Sequence, residues 1–166
     1  NHNVALGYDA LFYNTTGADC IGIGHEALYN NTTANDNVAV GKQALNSNTT
    51  GHSQTALGSH SLDATTTGSK NTGLGFNTLT DNTTGENNTA VGHSASLLNT
   101  TGTHNVSMGY FALEKNQTGG YNTSIGTESL LANTTASFGV AVGYRALKSN
   151  TTAEGNVAVG TEALEN

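Results

Sequence analysis

Tryptophan is absent from this chain, cysteine occurs once, and charged residues make up only 10% of its 166 positions. With 35% hydrophobic residues and Leu and Val spread evenly, the sequence lacks the material for a compact core of ordinary size. A lone Cys20 excludes an intrachain disulfide. It stands where most repeats carry Asn and reads as a small replacement. Five Lys and Arg against 12 Asp and Glu give a net charge of -7. Scattered basic residues make no phosphate-binding patch, so nucleic acid is not an expected partner. No apolar run approaches the ~20 residues of a membrane span, so no membrane insertion is expected of this segment.

What is present is a repeat. Glycine recurs every 17 residues, at Gly7, Gly24, Gly41, Gly58, Gly75, Gly92, Gly109, Gly126, Gly143 and Gly160. The surrounding motif runs Asn-Val-Ala-Val-Gly-x-x-Ala-Leu-x-x-Asn-Thr-Thr-Gly-x-x. A short fixed period without insertion is the signature of a solenoid, each repeat one coil stacked on the next. Low hydrophobicity with abundant Asn, Thr and Gly also suits disorder, but a disordered chain has no reason to keep register. The expected architecture is all-β: a parallel β-solenoid over residues 1–166, a single array of about ten 17-residue coils, read as part of a longer fibrous protein.

Each coil has a readable pattern. One residue before the glycine is always aliphatic or Met (Val40, Met108, Val142), and three before is Val, Ile or Thr (Val38, Thr89, Val140). These positions share one strand face and suit a strand by β-branching. After the glycine, Ala-Leu is read as a second short strand, with Leu11, Leu28, Leu45, Leu62, Leu79, Leu113, Leu130, Leu147 and Leu164 in one column. Ser96 is the exception, with Leu97 beside it as a candidate replacement. Asn-Thr-Thr-Gly is turn chemistry. All 17 Asp, Glu, Lys and Arg residues, and all six His, fall at six of the 17 phases. That division marks an exposed and a packed side; it predicts Val140 and Val142 buried, Tyr144 and Arg145 exposed.

Two residues before the glycine stand Ala5, Gly22, Ala39, Ala56, Gly73, Ala90, Ser107, Ser124, Ala141 and Ala158, all small. A size limit opposite a β-branched face implies that both faces are packed. The small column is taken as the face that meets another chain, with self-association as a trimer or filament. Asn forms two more columns, one including Asn37, Asn71, Asn88, Asn105 and Asn122, the other Asn14, Asn31, Asn48, Asn82, Asn99, Asn116, Asn133 and Asn150. Stacked amides are expected to bond along the axis and hold register.

The runs at 139–147 (Gly-Val-Ala-Val-Gly-Tyr-Arg-Ala-Leu) and 156–164 (Asn-Val-Ala-Val-Gly-Thr-Glu-Ala-Leu) resemble the head repeats of trimeric autotransporter adhesins. With Asn-Thr-Thr-Gly added, the repeat also resembles those of phage tail fibres and related trimeric surface fibres. The resemblance spans the chain. It implies a left-handed β-roll, three chains side by side, in an extracellular location on a cell surface or virion. Adhesin head repeats are a few residues shorter, the Asn-Thr-Thr loop being the added part.

Chemistry-bearing groups are sparse. No phase combines a nucleophile, a base and an orienting acid, so no enzyme is expected. No His, Cys and Asp grouping has metal-ligand spacing, and the turns hold too few carboxylates for a calcium repeat. No cofactor is implied. The second Asn column matches the Asn-x-Thr acceptor pattern for N-glycosylation, although turn chemistry accounts for the same residues. The unbroken Thr column (Thr16, Thr33, Thr50, Thr67, Thr84, Thr101, Thr118, Thr135, Thr152) suits ice binding. Aromatic and His residues after the glycine (Tyr8, His25, Phe76, His93, Tyr110, Tyr144) suit a sugar-binding stripe or an ordinary exposed face. The expected function is therefore a structural fibre or adhesin segment with a cell-surface receptor or glycan as partner. The alternative is a monomeric ligand-binding solenoid for ice or glycan.

Overall fold

The computed structural model describes residues 2–166. It is a parallel β-solenoid, all-β, with no helix among the described residues. Ten three-residue strands lie in chain order in one sheet: β1 (Val4–Leu6), β2 (Ile21–Ile23), β3 (Val38–Val40), β4 (Thr55–Leu57), β5 (Thr72–Leu74), β6 (Thr89–Val91), β7 (Val106–Met108), β8 (Thr123–Ile125), β9 (Val140–Val142) and β10 (Val157–Val159). Each pairs with the next in parallel at an offset of 17 residues, from Val4 against Ile21 to Val140 against Val157. Parallel neighbours stand about 4.8 Å apart, so ten strands span about 43 Å.

The repeat glycine is fixed twice over. Its φ lies between 123° and 140° in every coil, a region closed to side chains. A Cβ on Gly24 would also sit 2.5 Å from the carbonyl oxygen of Gly41 in the next coil. Only glycine lets the chain leave the strand at this corner while the coils keep strand spacing.

The Ala-Leu segment is not a second strand. It lies in a run of turns, with the column Leu residues at φ between 47° and 55°. Left-handed backbone breaks an extended run, so period-two logic ends at the glycine. The segment still bonds coil to coil, Leu28 N–H donating to Ala44 O at 3.0 Å and Leu45 N–H to Ser61 O at 3.0 Å. A left-handed residue costs about 1–2 kcal/mol in a side chain with a Cβ. Burying a Leu side chain contributes about 1.5–3 kcal/mol. Leu28, Leu45, Leu62, Leu79, Leu113 and Leu130 are fully buried, so the core gain wins over the backbone cost.

The strand faces are the reverse of the expected assignment. The small column points into the coil: Ala39, Ala56, Ala90, Ser107, Ser124 and Ala141 have no exposed surface in a single chain. Ala5 lies on the exposed first strand and Ala158 is 4% exposed on the last, with Gly22 and Gly73 buried between. A Cβ at Gly22 would already meet Leu11 Cγ at 3.3 Å and Ala27 O at 3.2 Å. The size limit thus comes from the Leu column across a narrow interior, not from a neighbouring chain. Val140 and Val142 face outward and are half-buried. Tyr144 is 41% exposed as expected, whereas Arg145 is half-buried beside Glu128.

Candidate functional site

The outward side of the sheet is a uniform surface that runs along all ten strands. It carries two columns, Val4 to Val157 and Leu6 to Val159, and neither holds a charge. Along the interior coils Leu57 is 41%, Met108 42% and Ile125 38% exposed. About 43 Å of length and roughly 10 Å of width give on the order of 400 Å² of mostly aliphatic surface. That is within the range of the largest apolar patch on an ordinary monomer, and such patches are often functional. The hydroxyls of Thr55, Thr72, Thr89 and Thr123 interrupt only the first column.

The sequence pointed to the wrong column because it showed size and polarity but not which side was already filled. A usable signal was there. The Leu column and both Asn columns must all fit inside the coil, which leaves room only for Ala, Gly or Ser on the inner strand face. The aliphatic columns are therefore the outer ones.

The Asn residues taken as glycosylation candidates are structural. Asn31, Asn48, Asn82, Asn116 and Asn133 have no exposed surface, and Asn99 is 1% exposed; Asn14 and Asn150, near the ends, are half-buried. Asn31, Asn48, Asn99, Asn116, Asn133 and Asn150 use both of their amide N–H groups, whereas Asn14 in the first coil and Asn82, whose ladder neighbour is Thr65, donate only to the turn carbonyl. Asn116 Nδ2 donates to Asn99 Oδ1 at 2.7 Å and to Gly119 O at 3.0 Å. Asn133 Nδ2 repeats this with Asn116 Oδ1 at 2.8 Å and Ala136 O at 3.1 Å. An acceptor amide for a glycan must be reachable, and the interior members of the column are buried. The correction applies to every interior member of the column.

The other Asn column works differently from a simple amide stack. Asn105 Oδ1 accepts the backbone N–H of Asn122 at 2.9 Å, while Asn105 Nδ2 donates to Gly119 O at 2.9 Å. The amide ties the start of one strand to the turn of the next coil. Cys20 fills this position in its coil without exposure and points its thiol at Ala18 O and Ala34 O, each at 3.4 Å. Burial pushes the Cys20 thiol above its ordinary pKa, so it stays protonated at neutral pH.

The remaining surface columns separate by role. The Thr row beside the glycosylation column is turned back on the fold: Thr49 Oγ1 donates to Thr66 O at 3.0 Å and Thr83 Oγ1 to Thr100 O at 3.1 Å. The next row, Thr16, Thr33, Thr50, Thr67, Thr84, Thr101, Thr118, Thr135 and Thr152, is exposed throughout. Aromatic rings follow one another along the axis: Tyr8 stacks on His25 at 5.3 Å, while Phe76 to His93 at 5.2 Å and His93 to Tyr110 at 5.3 Å are tilted by 37° and 38°. A second ladder joins His104 to Tyr121 at 4.7 Å and Tyr121 to Phe138 at 5.3 Å, nearly parallel at 6° and 10°. Stacking commits the facing sides of the rings within this second ladder and between Tyr8 and His25.

One charge cluster is closely paired. Glu128 accepts from Lys148 Nζ at 2.8 Å and Arg145 Nε at 2.9 Å, and these cations hold its carboxyl below the ordinary range, Lys148 first and Arg145 second. Among the described residues no group of His, Cys, Asp and Glu is placed to hold a metal ion, and no helix is long and apolar enough to cross a membrane. No protein-family model, curated protein or solved structure matches this chain.

Proposed function

We propose that this chain is a structural segment of an extracellular fibre or adhesin, on a cell surface or virion, assembled by packing the outward sheet faces of parallel chains in register as a homotrimer. One observation carries this reading: a charge-free aliphatic face runs the length of the solenoid although the chain fills its own interior with a different set of residues. The resemblance of the repeats to trimeric adhesin heads and tail fibres supports it. Rigid coils supply reach and a multivalent surface, with a receptor or glycan as the outside partner. The face of about 400 Å² is half of the ~800 Å² that each partner gives to a standard stable interface. Association should therefore be modest for ten coils and tighten as coils are added.

The test is sedimentation of the native chain and of Ile125→Lys with Val142→Lys. The native chain is expected to sediment as an oligomer and the double variant as a folded monomer. A native chain that stays monomeric at high micromolar concentration would overturn the reading.

A second reading, a monomeric ligand-binding solenoid, is favoured by the exposed Thr16 to Thr152 column, whose hydroxyls repeat every coil. Ice-growth inhibition or glycan capture by the monomer, abolished by Thr67→Val and Thr84→Val, is the result that would select it.

A further inference from the structure

Buried apolar residues do not form one continuous core. Apart from Ala34, Ala112 and Ala136 they fall into two clusters, one running from Leu11 to Ala95 and the other from Leu113 to Ala158, with Ala163 packed against the second. The break lies where Ser96 interrupts the Leu column, its only interruption. Ser96 is 2% exposed and keeps the left-handed backbone of the column, with φ 50°. Its Oγ–H donates to Ser107 Oγ at 2.9 Å, and Ser107 has no exposed surface. Leu97 is only half-buried and does not replace the missing side chain.

Hydrogen bonds cross the same junction unbroken. Ser96 N–H donates to Ala112 O at 2.9 Å, Thr89 N–H to Asn105 O at 2.8 Å, and Asn99 and Asn116 continue the amide ladder. What is lost there is apolar burial, the larger stabilising contribution per coil. Other buried hydroxyl pairs, Ser61 with Thr78 at 2.8 Å and Ser124 with Ser129 at 2.6 Å, do not have this effect. They sit beside intact Leu62, Leu79 and Leu130.

We propose that the coil carrying Ser96 and Ser107 is a built-in seam, where the solenoid opens locally and divides into two blocks before either block unfolds. In a quasi-one-dimensional array each coil is held by its neighbours alone, so one weak interface sets the position of the first opening. That position is where the chain yields first to load or to a protease.

Native-state hydrogen exchange of the full chain, read by mass spectrometry, tests this. Amides at 92–108 should exchange about tenfold or more faster than those at 41–57 and 126–143, the scale set by one missing buried Leu. Ser96→Leu with Ser107→Ala should erase the difference. Leu45→Ser with Ala56→Ser transplants the same pair to the matching positions of another coil and should create a second fast segment at 41–57. Uniform protection across interior coils overturns the seam, as does a fast 92–108 segment with no new one in the transplant. If the repaired variant fails to fold, the transplant alone decides.

Discussion

Gln54 Nε2 donates to Asn48 Oδ1 at 3.2 Å, a bond that in most other coils comes from the next Asn of the ladder. In this coil that ladder position is Thr65, which has no amide, and its buried Oγ1 has no partner. Gln54 stands where most other coils have Asn, and its longer side chain reaches the orphaned acceptor. Its Oε1 meanwhile accepts from Asn71 Nδ2 at 3.3 Å. The two departures from the repeat are one compensated change.

The pair should therefore be coupled. Gln54→Asn alone leaves Asn48 Oδ1 buried without a donor and should cost about 1–3 kcal/mol. Gln54→Asn with Thr65→Asn restores the regular ladder and removes the unpartnered hydroxyl, so it should be at least as stable as the native chain. Urea denaturation in a double-mutant cycle checks this; a coupling energy near zero would refute the compensation.

At the Leu column glycine should be unusually well tolerated relative to alanine. Leu45→Ala loses the core side chain and keeps the left-handed strain at φ 51°, for an expected cost of about 2–5 kcal/mol. Leu45→Gly loses the same side chain but removes the strain. It should be no less stable than Leu45→Ala, the reverse of the order in an ordinary strand, where glycine is about 0.5–1 kcal/mol worse. Equilibrium denaturation of both variants decides it.

How much of this was legible in the sequence depends on the interaction involved. The 17-residue coil, the parallel register and the glycine corner were readable because each reflects a local backbone demand repeated along the chain. Leu45 was correctly read as a column member but wrongly placed in a strand, since a left-handed Leu has no one-dimensional signature. Val142 and Ala141 were exchanged between faces, because inside and outside depend on how the chain closes around itself. The Asn48 column looked like an acceptor motif, and only the stacked coils show both amide protons already committed.

Cys20 should label only through unfolding. Its thiol is buried, lies within reach of two carbonyls as acceptors for its one proton, and is held protonated by burial. Reaction with a thiol reagent at neutral pH should follow the rate of global or end-coil opening; immediate labelling of the folded chain would contradict the placement. Cys20→Asn should extend the column from Asn3 to Asn37 and stabilise the fold by about 1 kcal/mol, read as a shift of the urea midpoint.

Glu128 supplies a small pH-dependent contribution. Its carboxyl lies below the ordinary value in the folded chain because of Lys148 and Arg145. A depressed carboxylate contributes stability above the unfolded-state value, and that contribution is lost as pH falls through the folded value. Glu128→Gln should therefore melt below the native chain at neutral pH and converge with it in acid. The site is near the surface, so screening by salt should shrink the gap. Melting curves that stay separated in acid would show that another interaction is responsible.

The two strand faces can be told apart by adjacent substitutions. Ala141 has no exposed surface and points at the Leu column, so Ala141→Leu inserts volume into a filled interior. Overpacking of this kind costs about 1–3 kcal/mol, and the loss should appear in the unfolding of a single chain. Val142, one residue on, faces outward and half-buried. Val142→Lys puts a charge on the apolar face without disturbing the coil, and should leave the circular dichroism and urea midpoint of the monomer unchanged. Its effect should fall on association, where an unpaired charge taken out of water in an interface is strongly unfavourable. Sedimentation and denaturation of both variants give four readings. The expected outcome is a destabilised Ala141→Leu chain and a dissociated, folded Val142→Lys chain. The opposite pattern, Ala141→Leu dissociated but stable and Val142→Lys unfolded, would return the small-residue column to the outside of the coil.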